Sequence, residues 1–241
     1  MNNATFFFNQ PKNEPVFSYA KGSKERELLS KELEKQYNQC IEIPIIINGK
    51  EIRTGNVSEV VMPTEHSHVL AKFHKADKET VQKAIEAALE ARKKWENVHW
   101  IDRCSIMLRA AELLAGKYRY VINAATMLGQ GKNPFQAEID SACETIDFLR
   151  FNVHYASKIY AQQPLSDNSA INRLEYRGLE GFVYAISPFN FTSIACNLNI
   201  SPVLMGNVTV WKPATTAVLS NYYLMKILQE AGVPDGVINF V

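Results

Sequence analysis

The chain reads as an α/β protein: a mostly helical first part carrying one β-hairpin, then the opening strands of a parallel sheet. Three observations predict this. Apolar residues recur at helical spacing in successive stretches between residues 24 and 153, each long enough to form a helix with one buried stripe. Asn48-Gly49 stands between two β-branched runs, a strong short-range signal for a hairpin. From residue 182 onward, short apolar runs and helical stretches alternate as β-α-β-α-β, an order that parallel strands with right-handed crossovers close most simply.

Residues 24–37, KERELLSKELEKQY, place Leu29, Leu33 and Tyr37 four apart among charges, which predicts the first helix. In IEIPIIINGKEI, Asn48 and Gly49 suit a type I′ turn because both central residues need positive φ. Pro44 predicts an edge position for the first strand, and the hairpin is expected to pack against helices. Asp77 can cap a helix whose buried side carries Val81, Ala84, Ile85, Ala88 and Trp95, and Asp102 can cap another carrying Ile106, Ala110 and Leu113. A further helix spans about residues 118–128, and LGQGKNP ends it. Asn133, Pro134 and Gln136 have the form of a capping box with proline at the first helical position, opening the longest element of the chain.

After the polar loop AQQPLSDNSA, strands are expected at 182–186, 208–212 and 237–241, with helices over about 193–205 and 217–231. The first of these strands is continuously apolar, as a strand buried on both faces should be. Residues 1–180 are therefore read as a helical and hairpin region, and residues 181–241 as an incomplete α/β domain with the first half of a Rossmann-like parallel sheet. The remaining half is absent from these residues, or something else takes its place, and the apolar third strand is expected at an open edge.

Composition excludes several functions. The 26 basic and 25 acidic residues interleave to a formal charge of +1, so the chain carries no electrostatic footprint for nucleic acid or an anionic membrane. No window has the apolar length of a bilayer span. Cys40, Cys104, Cys143 and Cys196 lack metal-ligand spacing; they read as buried thiols in a reducing compartment, with no metal site. MNNATFFFNQPKNEP lacks the pattern of a secretory signal or a transit peptide, so the expected protein is soluble and cytoplasmic, or in the mitochondrial matrix if its source is eukaryotic.

Ligands of open α/β sheets sit beyond the carboxyl ends of the strands, which points to residues 187–191 and to Lys212 with the loop after it. SPFNFT is not glycine-rich, so it is a poor phosphate cradle, although its aromatic residues could line a flat ring. Asn190 stands there among Pro188, Phe189 and Phe191: a turn former, or an amide aimed at a ligand. Lys212 is a solvated strand terminus or a donor to ribose hydroxyls or phosphate. No carboxylate in its loop selects NAD over NADP.

EGFVYAISPFNFTSIACNL, SPVLMGNVTVWKPATTAVLS and LQEAGVPDGVINFV resemble the aldehyde dehydrogenase superfamily. ADKETVQKAIEAALEARKKWE, GQGKNPFQAEIDSACETIDFLRFN and QQPLS are similar to its pyrroline-5-carboxylate dehydrogenase branch. The resemblance implies an aldehyde-dehydrogenase-like fold, NAD as cofactor, a small aldehyde substrate, glutamate semialdehyde, oxidised to glutamate through a cysteine thiohemiacetal, and a homo-oligomer at full length. By the same resemblance Asn190 donates to the oxyanion, Ser187, Pro188 and Phe189 line the nicotinamide side, Lys212 meets the adenosine ribose, and Phe191 and Glu144 lie near the substrate. It also implies that the glycine motif, the nucleophilic cysteine and the general-base glutamate belong to a part of the enzyme beyond residue 241, so these residues alone are expected to be inactive. Another aldehyde class, or a noncatalytic module of the same fold, remains an alternative reading of the residues.

Overall fold

The computed structural model describes residues 6–241; residues 1–5 of the N-terminal stretch read above lie outside them. Helix α1 (Lys24–Tyr37) is capped by Ser23, and α2 (Lys78–Trp95) by Asp77, which accepts from the Thr80 amide at 2.8 Å. Helix α3 (Trp100–Ala115) begins earlier than expected. The His99 ring caps it, while Asp102 falls in its first turn, where a carboxylate still favours the helix dipole. Helix α4 (Arg119–Gln130) ends at Gly131, whose φ of 66° supplies the left-handed turn. The expected capping box of Asn133 and Gln136 opens α5 (Pro134–Ala137). The path then departs from a single long helix: Glu138–Cys143 is a π-helical turn, and α6 (Glu144–Ala161) follows it.

The isoleucine run splits at Pro44 into β1 (Ile41–Ile43) and β2 (Ile45–Ile47), which belong to different sheets. Strand β1 is an edge, as proline predicts. It pairs in parallel with β5 (Glu65–His74), and β5 pairs antiparallel with β4 (Val57–Met62). These last two strands lie outside the sequence expectations. Strand β2 turns back through Asn48 (φ 50°) and Gly49 (φ 73°) into β3 (Lys50–Ile52), the turn expected.

The second sheet corrects the sequence reading in two ways. Its order is β3-β2-β8-β7-β6, where β6 (Val183–Ile186), β7 (Thr209–Lys212) and β8 (Ile238–Phe240) run parallel. The hairpin packs on a helix, α2, as expected, but it is also part of the sheet: Ile46 pairs antiparallel with Phe240. The side of β8 expected to be open is thus closed from within the chain, and the sheet crosses the boundary drawn near residue 180. All three residues of β2 are buried, which asks for cover on both faces; α2 packs on β2, β7 and β8. The sheet's edges are β3 and β6; on β6, Tyr184 and Ile186 are 53% and 59% exposed, contrary to the expectation of a strand buried on both faces. Helix α7 (Thr192–Leu204) packs on β6 and β7, and α8 (Val218–Ala231) packs on α3 and α4.

The π turn carries buried carboxylates. Glu138 is fully buried and accepts from Arg119, from the Tyr19 hydroxyl at 2.6 Å, from the Asn123 amide at 2.7 Å and from the Phe17 backbone at 2.9 Å. Arg119 also donates to Glu14 and to the Pro15 carbonyl, so the segment before α1 is fastened to α4 and the π turn. Burial alone would raise the Glu138 carboxyl, but the hydrogen bonds from Arg119, Tyr19 and Phe17 outweigh it and hold the group below its usual range. A carboxyl depressed by folding stabilises the fold fully above its unfolded value of about 4.3, and that stability is lost as pH falls through the lower folded value. Glu138→Gln, leaving Arg119 buried without its partner, is expected to cost about 3–5 kcal/mol near neutral pH. It should also flatten the acid limb of stability. Denaturant unfolding from pH 3 to 7 checks both, and an unchanged acid limb contradicts the assignment.

Candidate active site

Parallel pairing of Ile186 with Lys212 brings the carboxyl ends of β6 and β7 side by side, and the Ser187 amide continues the ladder by donating to the Lys212 carbonyl at 3.2 Å. The two loops singled out in the sequence therefore share one edge. Ser187 is buried, its hydroxyl accepting from the Trp211 indole at 3.0 Å and the Asn221 amide at 3.4 Å. Its side chain faces the fold, so Pro188 and Phe189, the latter 67% exposed, present the surface of that stretch.

Asn190 is exposed, and among the described residues its side-chain amide has no hydrogen-bond partner. Its main chain is held instead: the Lys132 ammonium donates to the Asn190 carbonyl and pairs with Asp140. The same ammonium lies 4.6 Å from the centre of the Phe191 ring, a cation–π distance. Asp140, 4% exposed, in turn accepts from the Thr192 and Ser193 amides at 3.4 Å. Phe191, the residue before α7, offers no side-chain cap, and Asp140 supplies one from another helix. The Ser193 hydroxyl donates to Glu144 at 2.7 Å and lies 3.2 Å from Asp140. The start of α7 thus gathers Asn190, Phe191 and Glu144 in one place. Beneath it, Thr192 bonds with Thr126, Gln130 and Ser220 through its buried hydroxyl.

Lys132, Asp140 and Ser193 were not foreseen. Asp140 lies more than fifty positions from the α7 residues it holds, and no local pattern signals such a contact. Lys212 is exposed at the end of β7 and opens into a cleft of about 300 Å³ with Tyr184, Pro213, Val218 and Phe240. Pro44 and His74 line the same cleft. The hydrogen bond from the Gly55 amide to His74 Nδ1 leaves Nε2 to donate to Glu42 at 2.6 Å. The cysteines are three buried and one exposed, Cys40, rather than all buried. Burial pushes the thiols of Cys104, Cys143 and Cys196 up to about 12. Cys196, inside α7, is neutral and inaccessible.

A model of the aldehyde dehydrogenase family matches residues 51–241. The delta-1-pyrroline-5-carboxylate dehydrogenase of Agaricus bisporus is 54% identical over 240 residues, covering 99% of this chain and 44% of that protein. The mitochondrial delta-1-pyrroline-5-carboxylate dehydrogenase of Homo sapiens is 50% identical over 229 residues, covering 95% of this chain and 41% of that protein. The crystal structure of the Mycobacterium tuberculosis delta-pyrroline-5-carboxylate dehydrogenase bound with NAD superposes with a TM-score of 0.97 at 46% identity, covering 100% of this chain and 45% of the other. The chain spans less than half the length of these relatives. With that similarity added to the strand–loop–helix geometry around Asn190, the chain belongs to the aldehyde dehydrogenase family.

Proposed function

We propose that these residues act as the N-terminal portion of an NAD-dependent pyrroline-5-carboxylate dehydrogenase, which oxidises L-glutamate γ-semialdehyde to L-glutamate in proline catabolism. The observation that carries the reading is the Asn190 amide, exposed and, among the described residues, unpaired at the carboxyl end of β6 while its backbone is held. A donor of that kind lowers a barrier by meeting negative charge that develops only as the aldehyde carbon is attacked. In this reading the attacking thiolate and the glutamate that activates water come from beyond these residues: burial keeps three thiols here neutral, whereas a nucleophile needs the thiolate, and exposed Cys40 lies between α1 and β1 rather than at the strand ends that carry Asn190 and Lys212.

The residues fit a dinucleotide. Lys212 offers three donors to ribose hydroxyls beside an open cleft, and Pro188 and Phe189 offer apolar surface for a flat ring. When bound, NAD supplies the hydride acceptor. Glu144, half-buried and oriented by Ser193, places a carboxylate where the substrate's ammonium can be received, and Phe191 forms an aromatic wall beside it. Full-length assembly as a homo-oligomer is supported by Leu165, Ile171, Leu174 and Leu179, all more than half exposed. Among the described residues no helix is long and apolar enough to cross a membrane. A reducing compartment suits the free thiols, cytoplasmic or, as the name of the human relative suggests, mitochondrial.

In the full-length protein, Asn190→Ala is expected to lower turnover with glutamate semialdehyde by about two to three orders of magnitude, with dinucleotide affinity nearly intact. Steady-state kinetics and dinucleotide titration measure these, and unchanged turnover removes the oxyanion role. A polypeptide limited to the 241 residues should reduce no NAD with any aldehyde; activity that survives purification contradicts the absence of a nucleophile. Brief labelling of the native protein with a thiol reagent should modify Cys40 and spare Cys104, Cys143 and Cys196. Mass spectrometry reads the outcome, and native labelling of Cys196 would reopen its candidacy.

A further inference from the structure

Asn190 has only two χ angles but sits in a loop, where an amide is aimed no better than its backbone is held. Four contacts hold that backbone from outside the loop. Lys132 donates to the Asn190 carbonyl and covers the next ring, Phe191. Asp140 accepts from the two following amides, Thr192 and Ser193. Lys132 and Asp140 pair with each other, with side chains only 17% and 5% exposed. At the other end, Ser187 is fixed by β7 and α8 through Lys212, Trp211 and Asn221. The backbone is thus tied at Ser187, at the Asn190 carbonyl and at the two amides that open α7, while among the described residues the Asn190 side-chain amide has no partner.

We propose that Lys132 and Asp140 are a positioning pair for the Asn190 donor: the ammonium fixes the residue's carbonyl, and the carboxylate fixes both the ammonium and the first turn of α7. The pair touches neither substrate nor cofactor; it also meets Phe191 and Ser193, whose disturbance would be read in the KM for the aldehyde, while its effect on kcat runs through Asn190. This rests on the reading of Asn190 as the oxyanion donor. A preorganised donor works because it needs no reorganisation when charge develops, and a displacement of about 1 Å costs about a hundredfold in rate. Lys132 is suited to the task because its three donors can reach two oxygen acceptors at once. Burial of the pair protects it from competition by water.

The test is a double-mutant cycle in the full-length enzyme. Lys132→Met keeps the apolar stem against Phe191 and removes the ammonium. It is expected to lower kcat about 10- to 100-fold with little change in the KM for NAD, because Lys212 lies on the other loop and Ser187, where the nicotinamide stretch begins, stays fixed by β7 and α8. Lys132→Arg should restore most of the loss. In the Asn190→Ala background, Lys132→Met should change kcat by less than about twofold, because a residue that works through Asn190 has nothing left to position. If Lys132→Met does not fold, Asp140→Asn, which keeps an acceptor for the α7 amides, is read in the same cycle. An equal loss in both backgrounds overturns the proposal and makes the pair merely structural or directly electrostatic, while the Asn190 reading stands. Unchanged turnover in Asn190→Ala alone overturns both.

Discussion

A carboxylate taken out of water must be paired or it takes up a proton, and the π-helical turn Glu138–Cys143 buries two of them. Glu138 collects Arg119, Tyr19, Asn123 and the Phe17 amide; Asp140 collects Lys132 and the amides that open α7. One turn therefore fastens the segment before α1 with one side chain and the candidate active-site loop with the other. A turn of this type inserts an extra residue into a helical path and is often found at functional sites. The sheet sets the start of the loop at the carboxyl end of β6, and this turn fixes the loop's end.

The sheet depends on a different economy. Beyond β8 the three parallel strands would leave polar backbone groups unpaired among apolar side chains, and the β2–β3 hairpin closes that side by pairing Ile46 with Phe240. The same stretch of chain reaches the cleft beside Lys212 through Pro44, and His74, at the end of β5, lines that cleft as well. Residues far apart in sequence thus build one wall of the proposed dinucleotide site. Proline at position 44 makes this possible, since it ends one strand and lets the next begin in another sheet.

What the sequence made legible was local. Helix periods, the caps at Asp77 and Asn133, the type I′ turn at Asn48-Gly49 and the succession of strands after residue 182 are all written in neighbouring residues, and each is present. Asn190, Phe191 and Glu144 could be singled out because they match a family pattern, and the structure brings them together at the start of α7. The pairing of the hairpin with β8, the π turn and the Lys132–Asp140 pair were not legible. The hairpin meets β8 through Ile46 and Phe240, far apart in the chain, and although Lys132 and Asp140 are only eight positions apart, the residues they hold, Asn190, Thr192 and Ser193, lie more than fifty positions away; nothing in GKNPFQAEID distinguishes a buried clamp from a solvated helix face. Strands β4 and β5 escaped because their alternation is interrupted by register shifts and by several polar side chains.

The account centres on an amide held ready for charge that the rest of the enzyme generates. The most direct measurement is a crystal structure of the full-length protein with an aldehyde-derived adduct trapped on its nucleophile. The account predicts the Asn190 side-chain nitrogen at about 2.7–3.1 Å from the adduct oxygen, with Lys132 still on the Asn190 carbonyl. An Asn190 amide turned away from that oxygen, with another donor in its place, would contradict it.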